Sequence, residues 1–281
     1  MNWSASNIDS LRRVFTEGFI VRDICEPLVS FDASTAAADA LSLISAQDFD
    51  VVGVRRNGLV VGFVERRDLG RGSCGEHLLP FGDASVIFDT APLADVVLGL
   101  NRSPRLFVRA LGAVSGIVTM SDLEKPPVRM WLFGMITLVE MRMGRLVERM
   151  CEGESWRQFL SEGRLQKAAA LLEERRRRSQ NLRLVDCLQF SDKVQIIARN
   201  EAIRSLTRFA SRRQVEETCK ALENLRNNLA HSQDILASDW KAIVMLSAEL
   251  DGVVSGTRQV QDAIEIMDKR SAGDESRSNP G

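Results

Sequence analysis

Two stretches of this 281-residue chain place residue types at spacings that can do chemistry. The first is ALENLRNNLAHSQDI, residues 221–235. His231, one of only two histidines, follows Arg226 by five positions. On a helix Asn227 and His231 are i,i+4 neighbours on one face, with Arg226 on its flank. Leu222, Leu225 and Leu229 point elsewhere, into a core. Such a polar trio combines an imidazole that titrates near neutral pH with a guanidinium that can hold an anion. The plainer alternative is an Arg and a His near a helix end that only solvate or cap.

The second is a pair of near-repeats, GFVERRDL at Gly62–Leu69 and GIVTMSDL at Gly116–Leu123. Each reads as a strand leaving a glycine, then a polar residue, then an Asp opening a helix. Asp68 and Asp122 can accept hydrogen bonds from the hydroxyls of a ribose. Backbone N–H groups at a helix start, with the Thr119 hydroxyl, favour phosphate. The repeats are unequal: Glu65 stands where the second has Thr119, and its carboxylate would repel a phosphate. The expectation is one good site around Thr119 and Asp122, with Arg66, Arg67 and Arg105 as candidate phosphate contacts. The alternative is that both Asp residues merely cap helices.

These residues, with the VRDI opening at Val21–Ile24, resemble the cystathionine-β-synthase (CBS) domain and its strand–[S/T]xxD–helix ending. The resemblance covers Thr16 to Pro126 as a tandem pair, a Bateman-type module. It implies a pseudo-twofold α/β unit with clefts for a regulatory adenine nucleotide, whether AMP, ADP, ATP or a cyclic dinucleotide. The Arg226-x4-His231 motif, with a polar residue straight after the Arg, resembles the signature of HEPN domains (higher eukaryotes and prokaryotes nucleotide-binding), and LRNNLAH is close to that family's usual wording. That resemblance covers Ser155 to Lys269. It implies a helical bundle that dimerises so that two motifs face one cleft, and a metal-independent endoribonuclease in which the ribose 2′-OH of the RNA is the nucleophile. In that activity His231 would act as general base or acid, Arg226 would stabilise the extra charge of the phosphorane, Asn227 would orient the phosphate or the histidine, and Glu223, one turn earlier, would hold Arg226 or His231 in place. A stress or phage-defence effector is one reading of such an enzyme. The chain has no tyrosine, so the related arrangement with a Tyr after the His is absent.

The elements that must position these residues follow from periodicity. In DASTAAADALSLISAQ, Asp32 or Ser34 can cap a helix whose Ala38, Leu41, Leu43 and Ile44 form a buried stripe. DFDVVGVRRNGLVVGFVERRDL predicts strand, Asn57-Gly58 hairpin turn, strand and helix start. The order recurs in SVIFDTAPLADVVLGLNRS, with a helix started by Pro92, and in RLFVRALGAVSGIVTMSDL, an internal repeat of two packed units. A proline-started helix, Val128 to Met150, then connects to the second half. Its Trp131, Phe133, Met135, Leu138, Met141 and Met143 either pack internally or form a dimer seam, and the seam is preferred. Ser155 and Gln158 have capping-box spacing for the next helix. Further helices carry apolar stripes: Leu165, Ala169 and Leu172; Leu184, Leu188 and Val194; Leu222, Leu225 and Leu229; Trp240, Ile243, Val244 and Leu250. The four arginines of ERRRRSQ, 174–180, pair with Glu173 and Glu174 or grip phosphates. The polar tail is expected to be disordered.

Composition bounds these readings. At 44% hydrophobic and 27% charged residues, the chain holds material for two globular cores. Its formal net charge of -1 offers no global attraction to nucleic acid or anionic membrane, so any basic surface is local. Five scattered cysteines without a CxxC fit a reducing cytoplasm rather than a zinc site or disulfide framework. The N-terminus lacks the apolar run of a signal peptide, and Met130–Val139 is too short to span a bilayer. P-loop, GxSxG and metal-ligand spacings are absent. The expected fold class is therefore α/β over residues 1–127, a connecting helix over 128–154, all-α over 155–269 and a tail over 270–281. The expected function is an adenine-nucleotide-regulated ribonuclease that acts on RNA as a homodimer without a membrane. The rival is a non-catalytic nucleotide-responsive adaptor binding RNA or a protein.

Overall fold

A computed structural model of the chain describes residues 3–248 except 206, 208, 210 and 232, with the backbone alone for 3–9. The expected tail, Leu250 and the last part of the helical region lie outside the described residues. The chain divides into two compact units, Ser10–Leu132 and Phe133 onward, the latter with the first nine residues.

The α/β unit contains two four-stranded sheets. In the first, strands run in the order β2 (Ser30–Asp32), β3 (Val51–Arg56), β4 (Leu59–Glu65) and β5 (Leu79–Pro80). In the second the order is β1 (Glu26–Pro27), β8 (Ala113–Thr119), β7 (Arg105–Ala110) and β6 (Val86–Phe88). Each repeat thus lends its leading strand to the other's sheet: β1 pairs with β8 and β5 with β4. The near-identical glycines of the two repeats sit at these crossings. A Cβ on Gly62 would lie 2.3 Å from the Leu79 carbonyl oxygen, and one on Gly116 would lie 3.2 Å from that of Glu26. Only glycine admits the approach at Gly62 without a shift.

The Asn57-Gly58 turn joins β3 to β4 with both residues at positive φ, 51° and 79°, as the hairpin twist demands. A matching turn, Leu111-Gly112, joins β7 to β8. Phe63 of one sheet meets Phe107 of the other at 4.7 Å between ring centroids, and Phe81 closes the cluster at the same distance from Phe107. The helix α2 (Ala37–Ala46) begins later than the expected caps. Its first N–H donates to the Gly72 carbonyl rather than to Asp32 or Ser34, and its buried face is Ala37, Ala40 and Ile44, leaving Ala38 and Leu43 exposed. In the second repeat Pro92 is the cap residue of α3 (Leu93–Leu100). The N-terminal helix α1 spans Trp3–Glu17.

The helix α4 spans Pro126–Met150. Trp131, Met135, Leu138 and Met143 are buried within the chain itself, which removes most of the apolar surface a dimer seam would need; Phe133 is exposed. The run ends at Met150, and the 3-10 stretch after it, Glu152–Phe159, contains Gly153 and Glu154, both at positive φ. Gln158 donates to the Ser155 carbonyl instead of boxing a helix start, and the next helix begins only after Ser161. In the second unit come α5 (Glu162–Arg177), α6 (Phe190–Arg199), the short α7 (Glu201–Ser205), α8 (Arg212–Ala230) and α9 (Leu236–Ala248). In α5 the buried positions are Ala168 and Leu172, with Ala169 exposed. Leu222, Leu225 and Leu229 of α8 are buried as expected. No described helix is long and apolar enough to cross a membrane.

Candidate functional site

The helix α8 carries the Arg–His motif, and its start is fixed locally: the Ser211 hydroxyl accepts from the Gln214 N–H at 3.2 Å. The helix ends at His231, whose N–H donates to the Asn227 carbonyl at 3.1 Å and whose side chain is exposed. Asn227 is exposed one turn before it, and Arg226 is about one-third exposed. The polar face therefore forms as the spacing implies.

What braces that face differs from expectation. Among the described residues, the carboxylate facing Arg226 is Glu140 of α4, at 3.7 Å, not Glu223. The second oxygen of Glu140 pairs with Lys193 of α6 at 3.1 Å. Lys193 is 7% exposed, so its ammonium is one of few charges taken almost wholly out of water, and such a charge requires its partner. One carboxylate thus ties α4, α6 and α8 together and holds two cations. Sequence spacing gave no sign of Glu140 or Lys193. Nor did it single out Asn228, which donates to the buried Asp239 of α9 at 2.7 Å and joins the last two described helices. The arginine run is partly neutralised, since Arg177 pairs with Glu173 and Arg178 with Glu174 at 3.7 and 2.7 Å. Burial pushes the Cys219 thiol, on the apolar side of α8, up to about 12, which leaves it protonated and unreactive at neutral pH.

In the α/β unit the two repeat endings differ more than their sequences do. Asp122 is buried at 5% exposure. One of its oxygens accepts from the Thr119 N–H at 2.7 Å and from the Thr119 hydroxyl at 3.0 Å. The other faces the Lys125 ammonium at 2.8 Å. Lys125 also donates to the Ile24 carbonyl at 2.6 Å and pairs with Glu26. Burial alone would lower the Lys125 pKa, but the hydrogen bonds and charges of Asp122 and Glu26 outweigh it and hold the ammonium above its usual value. Asp122 therefore caps the turn, and a ribose would reach it only after Lys125 turned away. Replacing Asp122 would test the fold before it tested a ligand.

The first ending is open where the second is closed. The Asp68 side chain is 46% exposed, with Arg67 at 4.0 Å. Arg105 and Arg67 converge on Glu65, at 2.9 and 2.7 Å, rather than on the Thr119 end where a phosphate was expected. Arg66 is drawn aside to Asp48 and Asp50 at 2.9 and 3.1 Å. Among the described residues, no group of three His, Cys, Asp or Glu side chains is placed to hold a metal ion.

No protein-family model matches the sequence, and no curated protein matches it. Solved structures do show a likeness over the α/β part. These are CBS domain pairs. One is CBSX2, a CBS-pair protein of Arabidopsis thaliana, in complex with AMP, at 25% identity over 38% of this chain and 93% of that one, TM-score 0.34. Another is the CBS domain of a bacterial CNNM/CorC family Mg2+ transporter in complex with ATP, at 18% identity over 44% and 96%, TM-score 0.34. A third is the CBS domain pair of protein MJ0100 with 5′-methylthioadenosine and S-adenosyl-L-methionine, at 16% identity over 37% and 91%, TM-score 0.32.

Proposed function

We propose that this chain is a ribonuclease of HEPN type under the control of an adenine nucleotide bound by a tandem CBS unit. The observation that carries the catalytic half is the exposure of Asn227 and His231 on one face of α8, with Arg226 on its flank held by Glu140. In this reading His231 takes the proton of the ribose 2′-OH as that oxygen attacks the adjacent phosphorus. The 5′-oxygen leaves with a proton from a second acid, and a 2′,3′-cyclic phosphate remains. Arg226 neutralises the phosphorane, and Asn227 orients the phosphate beside it. Glu140 restrains Arg226 as a positioning residue, while Lys193 balances the charge of Glu140 behind it. The regulatory half is supported by the repeated sheets: Thr119 ends β8 opposite Arg105, and Arg67 and Asp68 lie in the 3-10 turn that follows β4.

The test is cleavage of labelled total RNA in EDTA by the full chain, beside a His231→Ala variant, with and without AMP, ADP, ATP and cyclic dinucleotides. Wild-type cleavage lost in His231→Ala, and altered by a nucleotide, is the expected result. A folded dimer that cuts nothing under any condition, yet binds RNA or a protein, would assign the chain to the adaptor class.

A further inference from the structure

The two halves of the α/β unit repeat each other, and their departures from the repeat are in contact. Glu65 stands opposite Val51 in the β3–β4 ladder, where Thr119 stands opposite Arg105 in the β7–β8 ladder. A carboxylate has replaced a hydroxyl in one repeat, and a guanidinium has replaced an isopropyl group in the other. Those two substitutions meet, with Arg105 Nη1 donating to Glu65 Oε1 at 2.9 Å. The second oxygen of Glu65 lies 2.7 Å from Arg67 Nε. Glu65 and Arg105 are largely buried, at 17% and 18% side-chain exposure, while Arg67 is 78% exposed and opens one side to solvent.

We propose that Arg105 and Arg67 form a seat for the phosphate of an adenine nucleotide, and that Glu65 occupies it as the chain's own anion. Each oxygen of Glu65 satisfies one guanidinium, as two oxygens of a phosphate would. Both cannot be seated together, since two anions within contact distance repel strongly when little water screens them. A phosphate therefore enters by exchange, with Glu65 turning away as Arg105 and Arg67 change partners. Asp68 lies three residues on with its carboxylate accessible, so the hydroxyl-x-x-Asp pattern is incomplete at this end only because of Glu65. This inference rests on reading the α/β unit as a nucleotide module. An ion pair serving the fold alone would give stability and no change in binding on substitution.

The experiment is titration calorimetry of the full chain with AMP, ATP and adenosine. The proteins compared are wild type, Glu65→Thr, Glu65→Gln, Arg105→Val and the double variant Glu65→Thr/Arg105→Val, each checked for folding by circular dichroism. Removing the resident charge is expected to tighten AMP and ATP about tenfold or more, with adenosine little changed, and Arg105→Val is expected to cancel the gain. No gain in either folded Glu65 variant, or an equal gain for adenosine, overturns the seat. Binding by a Glu65 variant but not by wild type leaves the seat standing and removes nucleotide control of the native chain. Binding by wild type that the Glu65 variants do not improve keeps that control and discards the seat.

Discussion

Asp23, Glu76, Asp122, Asp186 and Asp192 each accept a hydrogen bond from the backbone N–H three residues earlier, at 2.7–3.2 Å. A short 3-10 or helical start leaves such donors without intrahelical partners, and an acid at the third position satisfies one of them. The Thr-x-x-Asp pattern of a ligand site and this cap are the same spacing, so the letters at Thr119 and Asp122 do not distinguish them; the burial of Asp122 does. Asp186 makes the device sensitive to acid. Burial would raise its pKa, but hydrogen bonds from the Arg183 side chain and backbone, with the charges of Arg183 and Lys193, hold it below the ordinary value. A carboxylate lowered in the folded state contributes stability above its unfolded pKa, about 4. That contribution is lost as pH falls through the folded value. Asp186→Asn is expected to melt below wild type at pH 6, with the gap shrinking as pH falls below about 4; melting curves across pH check it, and a gap constant with pH would refute the assignment.

At the scale of elements, the two hairpins test whether backbone geometry outranks side-chain identity. Asn57-Gly58 supplies residues suited to a tight turn, and the turn was evident in the sequence. Leu111-Gly112 takes the same conformation with φ of 49° and 86°, although leucine pays a steric penalty of about 1–2 kcal/mol in the left-handed region. The Leu111 side chain is fully exposed, so packing does not explain it. Register does, because β7 and β8 pair from Arg105–Thr119 to Ala110–Ala113, and the ladder leaves only two residues for the link. Leu111→Asn is therefore expected to stabilise the chain by about 1 kcal/mol, seen as a higher urea midpoint. An unchanged or lower midpoint would mean that the leucine is used elsewhere. The same logic explains the late start of α2: its first donor is taken by the Gly72 carbonyl, a loop distant in sequence that local capping rules do not anticipate.

At the scale of the molecule, α4 is the covalent link through which ligand binding and RNA chemistry would communicate. It begins two residues after the turn that Asp122 caps, and its Glu140 holds Arg226. A ligand can bias the distant motif only if it binds one arrangement of α4 better than another. Glu140→Gln, checked for folding by circular dichroism, is expected to lower the proposed His231-dependent cleavage by freeing Arg226 and to shrink the response to nucleotide several-fold, a reading taken from cleavage rates with and without ligand. Full nucleotide control in Glu140→Gln would place the coupling elsewhere. Saturating ligand that left the wild-type rate and its solution scattering unchanged would end the coupling altogether.

What is local was legible in the residues alone. The alternation of short strands and helices in the first part, the Asn57-Gly58 hairpin, the repeated glycine–strand–Asp endings and the shared face of Asn227 and His231 all depend on spacings of a few residues. Helix and hairpin geometry convert such spacings directly into faces and turns. Tertiary structure decided which partner each charge found. Glu140 rather than Glu223 faces Arg226, Glu65 rather than a free cleft receives Arg105 across forty residues, and Lys125 covers Asp122. It also decided that most of the apolar side chains of α4 are buried in the chain itself. The reason is physical: a charge or an apolar face must be satisfied once water is excluded, and what satisfies it is whatever the packing brings within reach, however far away it lies in sequence.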